Sequence, residues 1–147
     1  MSNLINRRIV LAARPTGFPK ESDFRLEQKP ISPLGEGKFL ARIEYLSLDP
    51  YMRGRMAAGK SYVAPIEIDD VMTGGAVARV IESKHPGFAV GDYVNGLFGW
   101  QDYATSDGAG VMKVDPKVAP VSTALGVLGM PGLTAYFGLL DVGNPKA

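Results

Sequence analysis

Short runs of β-branched, aromatic and aliphatic residues, each bounded by turn residues, constrain the fold of this chain most strongly. The turn segments include Gly35-Glu36-Gly37, His85-Pro86-Gly87 and Gly91-Asp92, whose residues supply positive φ, a fixed φ or local hydrogen bonds between side chain and backbone. Short strands at this spacing predict a β-barrel or a β-sandwich. The β-prone runs are residues 8–12, 24–28, 39–48, 76–82, 93–96, 100–105 and 111–115.

The run 39–48 carries the clearest strand pattern. Its apolar residues Ala41, Ile43 and Tyr45 alternate with the charged residues Arg42 and Glu44. Alternation with a period of two places the apolar side chains on one face of a strand and the charged ones on the other. We therefore expect a half-buried strand here.

The pattern changes near Ser122, where helical segments are predicted. One helix is expected within 123–128 and a second that runs through 133–140, with Pro131 at the first position of the second helix and Gly143 and Pro145 as its stop signal. The second helix is apolar and has no later element of the chain to pack against. We infer that a further segment would normally cover it.

Composition excludes several classes of protein. The 147 residues include 16 Lys and Arg against 15 Asp and Glu, a net charge of +1 that is too balanced for a nucleic-acid-binding surface. There is no cysteine and therefore no disulfide, which is typical of a reducing compartment, and no apolar run is long enough for a membrane span. We expect a cytoplasmic protein with no nucleic-acid or membrane partner.

The segment that follows the third run forms a corner that carries candidate functional residues. Asp49 is placed to cap a short helix with its side chain, and Pro50 suits the first turn of that helix. Tyr51 and Arg53 are large residues with polar tips beside this corner. They are explained either as structural residues of the corner or as residues that contact a ligand. The basic clusters Arg7-Arg8 and Arg53-Gly54-Arg55 are explained either as solvated surface or as binding sites for a phosphate or carboxylate.

Three further stretches follow in a specific order: 70–80 with the adjacent glycines Gly74 and Gly75 at the entrance to a strand, then 86–94, then 100–104. With these stretches the chain resembles the medium-chain dehydrogenase/reductase superfamily over nearly all of its residues. The resemblance implies a mainly β fold, a GroES-like and partly open β-barrel with short helices, followed by a helical connector toward a Rossmann domain.

The chain departs from the zinc-containing members of that superfamily. In those enzymes the stretch that matches Thr73-Gly74-Gly75 usually carries the histidine ligand of catalytic zinc, and a cysteine ligand falls where residues 47–49 lie here. The present chain has Gly75 near the histidine position, no cysteine, and a single histidine, His85, in a turn. Catalytic zinc needs three protein ligands, so we predict no metal and a shift of the chemistry to hydride addition across a carbon–carbon double bond.

Two stretches, 48–54 and 129–136, resemble signatures of the zinc-free prostaglandin reductase and 2-alkenal reductase branch, and the nearest resemblance is to bacterial NADPH-dependent curcumin reductases. The resemblance implies NADPH as the cofactor, with Pro50 and Tyr51 beside the nicotinamide and Met130 and Thr134 on the cofactor side. Tyr51 and Tyr62 are the candidate catalytic donors to the enolate oxygen. Loop packing is the alternative role for Tyr62.

The resemblance also implies a division of the chain. Residues 1–121 would form the GroES-like, substrate-side domain, and 122–147 a helical connector into a nucleotide-binding domain that these residues do not include. No Gly-x-Gly-x-x-Gly motif is present, so we expect the chain alone to bind NADPH weakly and to be inactive. The full-length enzyme is expected to reduce a small enone or alkenal and to form a homodimer. Two alternatives stay open: a quinone reductase of the same superfamily, and a GroES-like binding or assembly module without enzyme activity.

Overall fold

The β-prone runs of the sequence all overlap strands in the computed structural model, which describes residues 4–59 and 63–146. Their valine, isoleucine and aromatic content favours the extended backbone, and the glycine and proline turns between them end each strand. The strands are β1 (Ile5–Leu11), β2 (Phe24–Pro30), β3 (Phe39–Leu46), β4 (Ala76–Ser83), β5 (Tyr93–Gly96), β6 (Tyr103–Ser106) and β7 (Met112–Val114).

The strands form two antiparallel sheets. One contains β1 and β2, and the other has five strands in the order β6-β3-β4-β5-β7. Isolated bridges from Arg8 to Gln101 and from Val10 to Val71 join β1 to the segments that precede β6 and β4. Within the described ranges the larger sheet does not close on itself, so the predicted mainly β, partly open fold is confirmed.

Two hydrophobic clusters hold these sheets together. The larger lies on the inner face of β3, β4 and β5 around Phe39, Val80 and Val94, each at most 1% exposed. The smaller joins Leu11 and Met72 to the short helix α1 (Tyr51–Arg55) through Met56, and the ring of Trp100 stacks on Phe24 against it. Packing of Met56 in this cluster therefore fixes the end of α1 against the core.

The expected alternation along β3 holds only in part. Ala41 is buried, Arg42 is exposed and Ile43 packs against the core, but Tyr45 is 48% exposed. The pairing of β3 with β4 shifts register between Ile43 and Tyr45. A shift of this kind changes the face on which later side chains lie, which is why the prediction for Tyr45 was wrong.

The C-terminal segment is helical, as predicted, although its first helix is a 3-10 turn (Val121–Leu125). It is followed by α2 (Met130–Phe137), with Pro131 in its first turn, and by a π-helical turn (Gly138–Gly143) that ends at the predicted stop. None of the described helices is long and apolar enough to cross a membrane. Large exposed apolar side chains are frequent here: Val127, Leu128, Met130, Leu133, Tyr136, Phe137, Leu139, Leu140 and Val142.

Candidate active site

A cleft of about 380 Å³ lies between the sheets and the C-terminal segment. Helix α1, β5 and the loops before α1 and β4 supply its polar side chains, while the C-terminal segment supplies an apolar wall. A largely apolar cleft with a few convergent polar groups is typical of small-molecule sites. The lining residues are Ser47, Asp49, Tyr51, Arg55, Thr73, Gly75, Asn95, Gly96, Leu97, Gly110, Met112, Ala124, Leu125, Met130 and Pro131.

Helix α1 begins at the corner after β3, but not by the predicted cap. Pro50 has helical backbone angles, φ −56° and ψ −31°, and takes the capping position, which has no side-chain hydrogen bond. Asp49 contributes its backbone carbonyl, which accepts the Met52 N–H at 3.1 Å. The prediction that the Asp49 side chain caps the helix was wrong. The capping position falls on Pro50, one residue later than expected, because the proline ring fixes φ of Pro50 at a helical value.

Arg53 ties this corner to a neighbouring loop. Its Nε donates to the carbonyl of Gly17 at 3.1 Å, and its Nη2 donates to the carbonyls of Pro15 at 3.1 Å and Gly17 at 2.9 Å. Of the two roles left open by the sequence, these contacts support the structural one. They hold the outer side of α1 in place while its other side faces the cleft.

Tyr51 is the partly buried phenol of the cleft. Burial raises its pKa above the ordinary value of 10.0, and the negative charge of Asp49 acts in the same direction. The positive charge of Arg55 and hydrogen bonding with Thr73 and the Gly75 backbone oppose the rise without cancelling it. At neutral pH the hydroxyl is therefore protonated and able to donate a hydrogen bond.

Of the other predicted site residues, only one lines the cleft among the described residues. Met130 lines the cleft with Tyr51, whereas Pro50 and Thr134 do not. Thr134 lies one helical turn beyond Met130, and its hydroxyl donates to the Met130 carbonyl at 2.8 Å. Tyr62 lies outside the described residues.

Several lining residues were not assigned to the site from the sequence. Arg55 is the main one: it was placed only in a basic cluster, and its spacing of four residues from Tyr51 is the signal that places both on one helix face. Asn95 has a different role, since its side-chain amide donates to the Ala124 carbonyl at 3.2 Å and so joins β5 to the C-terminal segment.

The side chains of the cleft do not fit catalytic zinc. The sequence has no cysteine, and the Nδ1 atom of its only histidine, His85, accepts the Gly87 N–H at 2.9 Å in a turn packed on Phe39 and Phe88. In the described part of the chain no three His, Cys, Asp or Glu residues are grouped to hold a metal ion.

Residues 7–114 match the model of a protein family described as the N-terminal domain of oxidoreductase. The chain is 55% identical over 141 residues to the NADPH-dependent curcumin reductase of Escherichia coli (strain K12), covering 96% of the chain and 41% of that protein. It is 40% identical over 146 residues to the 2-alkenal reductase (NADP(+)-dependent) of Nicotiana tabacum, covering 96% of the chain and 43% of that protein. The chain thus spans about two fifths of the length of these relatives.

The fold is similar to that of CurA from Vibrio vulnificus in complex with NADPH, with a TM-score of 0.89 and 52% identity over 95% of this chain and 42% of that one. Other solved structures of the superfamily, at 14–21% identity, share the fold alone. The resemblance predicted from residues 48–54, 70–80 and 129–136 is confirmed. The chain belongs to the family of oxidoreductase N-terminal domains, within the medium-chain dehydrogenase/reductase superfamily.

Proposed function

We propose that this chain is the substrate-side part of an NADPH-dependent oxidoreductase that reduces the carbon–carbon double bond of α,β-unsaturated ketones or aldehydes without zinc. The observation that carries the proposal is the cleft, which presents a protonated Tyr51 hydroxyl in a largely apolar lining without a zinc-binding set of side chains. The names of the relatives support the same chemistry, since one is a 2-alkenal reductase and another a curcumin reductase, both dependent on NADP(H).

The largely apolar lining of the cleft suits the nicotinamide end of the cofactor. Tyr51 and Met130 line the cleft, Pro50 and Thr134 lie beside them, and these residues would border the nicotinamide ring and its ribose. When bound, the cofactor supplies the hydride that adds to the β-carbon of the substrate. The structure of a relative in complex with NADPH supports NADPH as the cofactor.

Tyr51 would donate its hydroxyl hydrogen to the substrate carbonyl and stabilise the oxygen as negative charge develops on it. Apolar side chains, among them Leu97, Leu125 and Met130, line the cleft beside it and would strengthen this hydrogen bond once bound substrate and cofactor displace water. Tyr62 stays a proposed second donor on the strength of the family resemblance.

We assign the proposed activity to the longer polypeptide, because the chain covers about two fifths of its relatives. In this proposal residues 1–121 form the substrate side, residues 122–147 connect it to a nucleotide-binding part, and the complete enzyme works as a cytoplasmic homodimer on small enones or alkenals.

The test is NADPH oxidation by the full-length polypeptide with a 2-alkenal and with the matching saturated aldehyde. We expect turnover of the alkenal only, with NMR showing a reduced carbon–carbon bond, and no loss of rate after treatment with a chelator. Tyr51→Phe should lower kcat by about 10²–10³ if its hydroxyl is the main oxyanion donor. The control is Tyr45→Phe, which removes an exposed phenol on β3. Reduction of the saturated aldehyde, or loss of activity with the chelator, would contradict the proposal.

A further inference from the structure

Arg55 is a positively charged residue of the cleft that has no role in the proposed reaction. Among the described residues its buried Nε atom has no hydrogen-bond acceptor, and no carboxylate lies within ion-pairing distance of its guanidinium. Other arginines are satisfied: Arg53 by backbone carbonyls, and Arg8 by Glu27 at 2.7 Å. Arg55 is thus available to bind a ligand group.

A guanidinium without a hydrogen-bond acceptor or a carboxylate partner favours an anionic ligand. A guanidinium without an acceptor or a counter-charge is costly, and a carboxylate in the cleft that meets its terminal Nη groups would offset that cost. The planar guanidinium fork of arginine matches the two oxygens of a carboxylate better than a lysine ammonium does. The rest of the lining, apart from Asp49, is uncharged, so Arg55 is the lining residue with which an anion can pair.

The spacing between Arg55 and Tyr51 limits how far apart the two ligand groups can be. Residues four apart on a helix have Cβ atoms about 5–6 Å from each other, and both of these side chains line the cleft. Arg55 is near enough for its charge to act on the Tyr51 phenol. A carbonyl at Tyr51 and a carboxylate at Arg55 are therefore only a few bonds apart in one ligand.

We infer that Arg55 determines specificity by binding a carboxylate of the substrate, and that the cleft prefers conjugated ketones with a carboxylate on the far side of the double bond, the 4-oxo-2-alkenoates. The inference rests on the proposed function and adds its substrate class. Asp49 lies in the same cleft and repels a second negative charge, so the preferred ligand is a monoanion.

The test compares trans-3-benzoylacrylate with its uncharged methyl ester as substrates of the full-length polypeptide. Arg55→Gln should raise KM for the acid by about 10- to 100-fold, the loss expected for a charge-assisted hydrogen bond, and leave KM for the ester unchanged. Arg55→Lys should restore part of the preference for the acid. Arg42→Gln, which removes an exposed arginine on β3, is the matched control and should change neither substrate.

A second measurement does not depend on turnover. The saturated product 3-benzoylpropionate is titrated calorimetrically into each variant without NADPH, and its Kd should follow the same order as KM for the acid. Asp49→Asn should tighten binding of this anion, which keeps the inference testable if Arg55→Gln does not fold. If neither enone is reduced by the wild type, the proposed function fails while this titration still decides the role of Arg55.

Three outcomes would overturn the inference. One is an equal change for acid and ester, which would mean that Arg55 only shapes the cleft. Another is no change for either. The third is a raised Kd for NADPH with unchanged binding of 3-benzoylpropionate, which would place Arg55 on a cofactor phosphate.

Discussion

The sheet region, β1 to β7, and the helical segment after residue 121 are both rich in apolar residues, yet they use them differently. In the sheets, residues such as Phe39, Val80 and Val94 are at most 1% exposed, whereas α2 and the π-helical turn contain no buried residue. Apolar composition therefore does not by itself produce a core. What differs is whether another element of the same chain lies opposite the apolar face.

The helical segment is attached at one end. The Asn95 amide binds the Ala124 carbonyl, and Leu125 Cδ2 would lie 3.7 Å from a Cβ atom at Gly75. At Gly129 and Gly132 a Cβ atom would overlap the carbonyls of Ala124 and Val127, so these glycines permit the close turn between the 3-10 turn and α2. The attached end forms the wall of the cleft, and the far end contributes little to the folded state.

Phe39→Ala gives the largest expected effect and tests the sheet side of this comparison. Its ring is fully buried between β4 and the Phe88 ring, so the substitution leaves a cavity and should lower the free energy of unfolding by about 3–5 kcal/mol. Denaturant titration of the chain measures the change. A loss below about 1 kcal/mol would mean that the sheets are not the stable part.

A smaller change in the free energy of unfolding is expected when acid protonates Glu27, on β2. Hydrogen bonds from Arg25 and Arg8 lower the pKa of Glu27 from 4.5 to about 2. A carboxylate with a depressed pKa stabilises the fold above the unfolded pKa, and that contribution is lost as the pH falls toward about 2. The free energy of unfolding should therefore fall less steeply with acid in Glu27→Gln than in the wild type. Asp141→Asn, in the helical segment, is the control, and a slope as flat as that of Glu27→Gln would contradict this account.

Phe137→Ala should change the free energy of unfolding least, and it is the matched substitution to Phe39→Ala in the helical segment. Its ring is 51% exposed and packs edge-on against Tyr136, so the free energy of unfolding should change by about 1 kcal/mol or less. The same denaturant titration applies. If this change matched that of Phe39→Ala, the contrast between the two regions would be lost.

The sequence predicted the strands well because glycine and proline turns mark their ends, and it located the Tyr51 corner. It failed where a shift of one residue decides the outcome: the register change in β3 exposes Tyr45, and Pro50 takes the position assigned to Asp49. For Arg55 the sequence left two roles open, solvated surface or binding of a phosphate or carboxylate, because it belongs to a basic cluster with Arg53. Only the fold separates the arginine bound to carbonyls from the one that faces the cleft.

The hydrogen bond within α2 has a consequence for whatever reaches that helix. The hydroxyl hydrogen of Thr134 is already used on the Met130 carbonyl, so only the lone pairs of its oxygen remain for another molecule. A ligand that meets Thr134 must bring its own hydrogen, as an amide NH₂ does, and a bare carbonyl or phosphate oxygen would find no donor there.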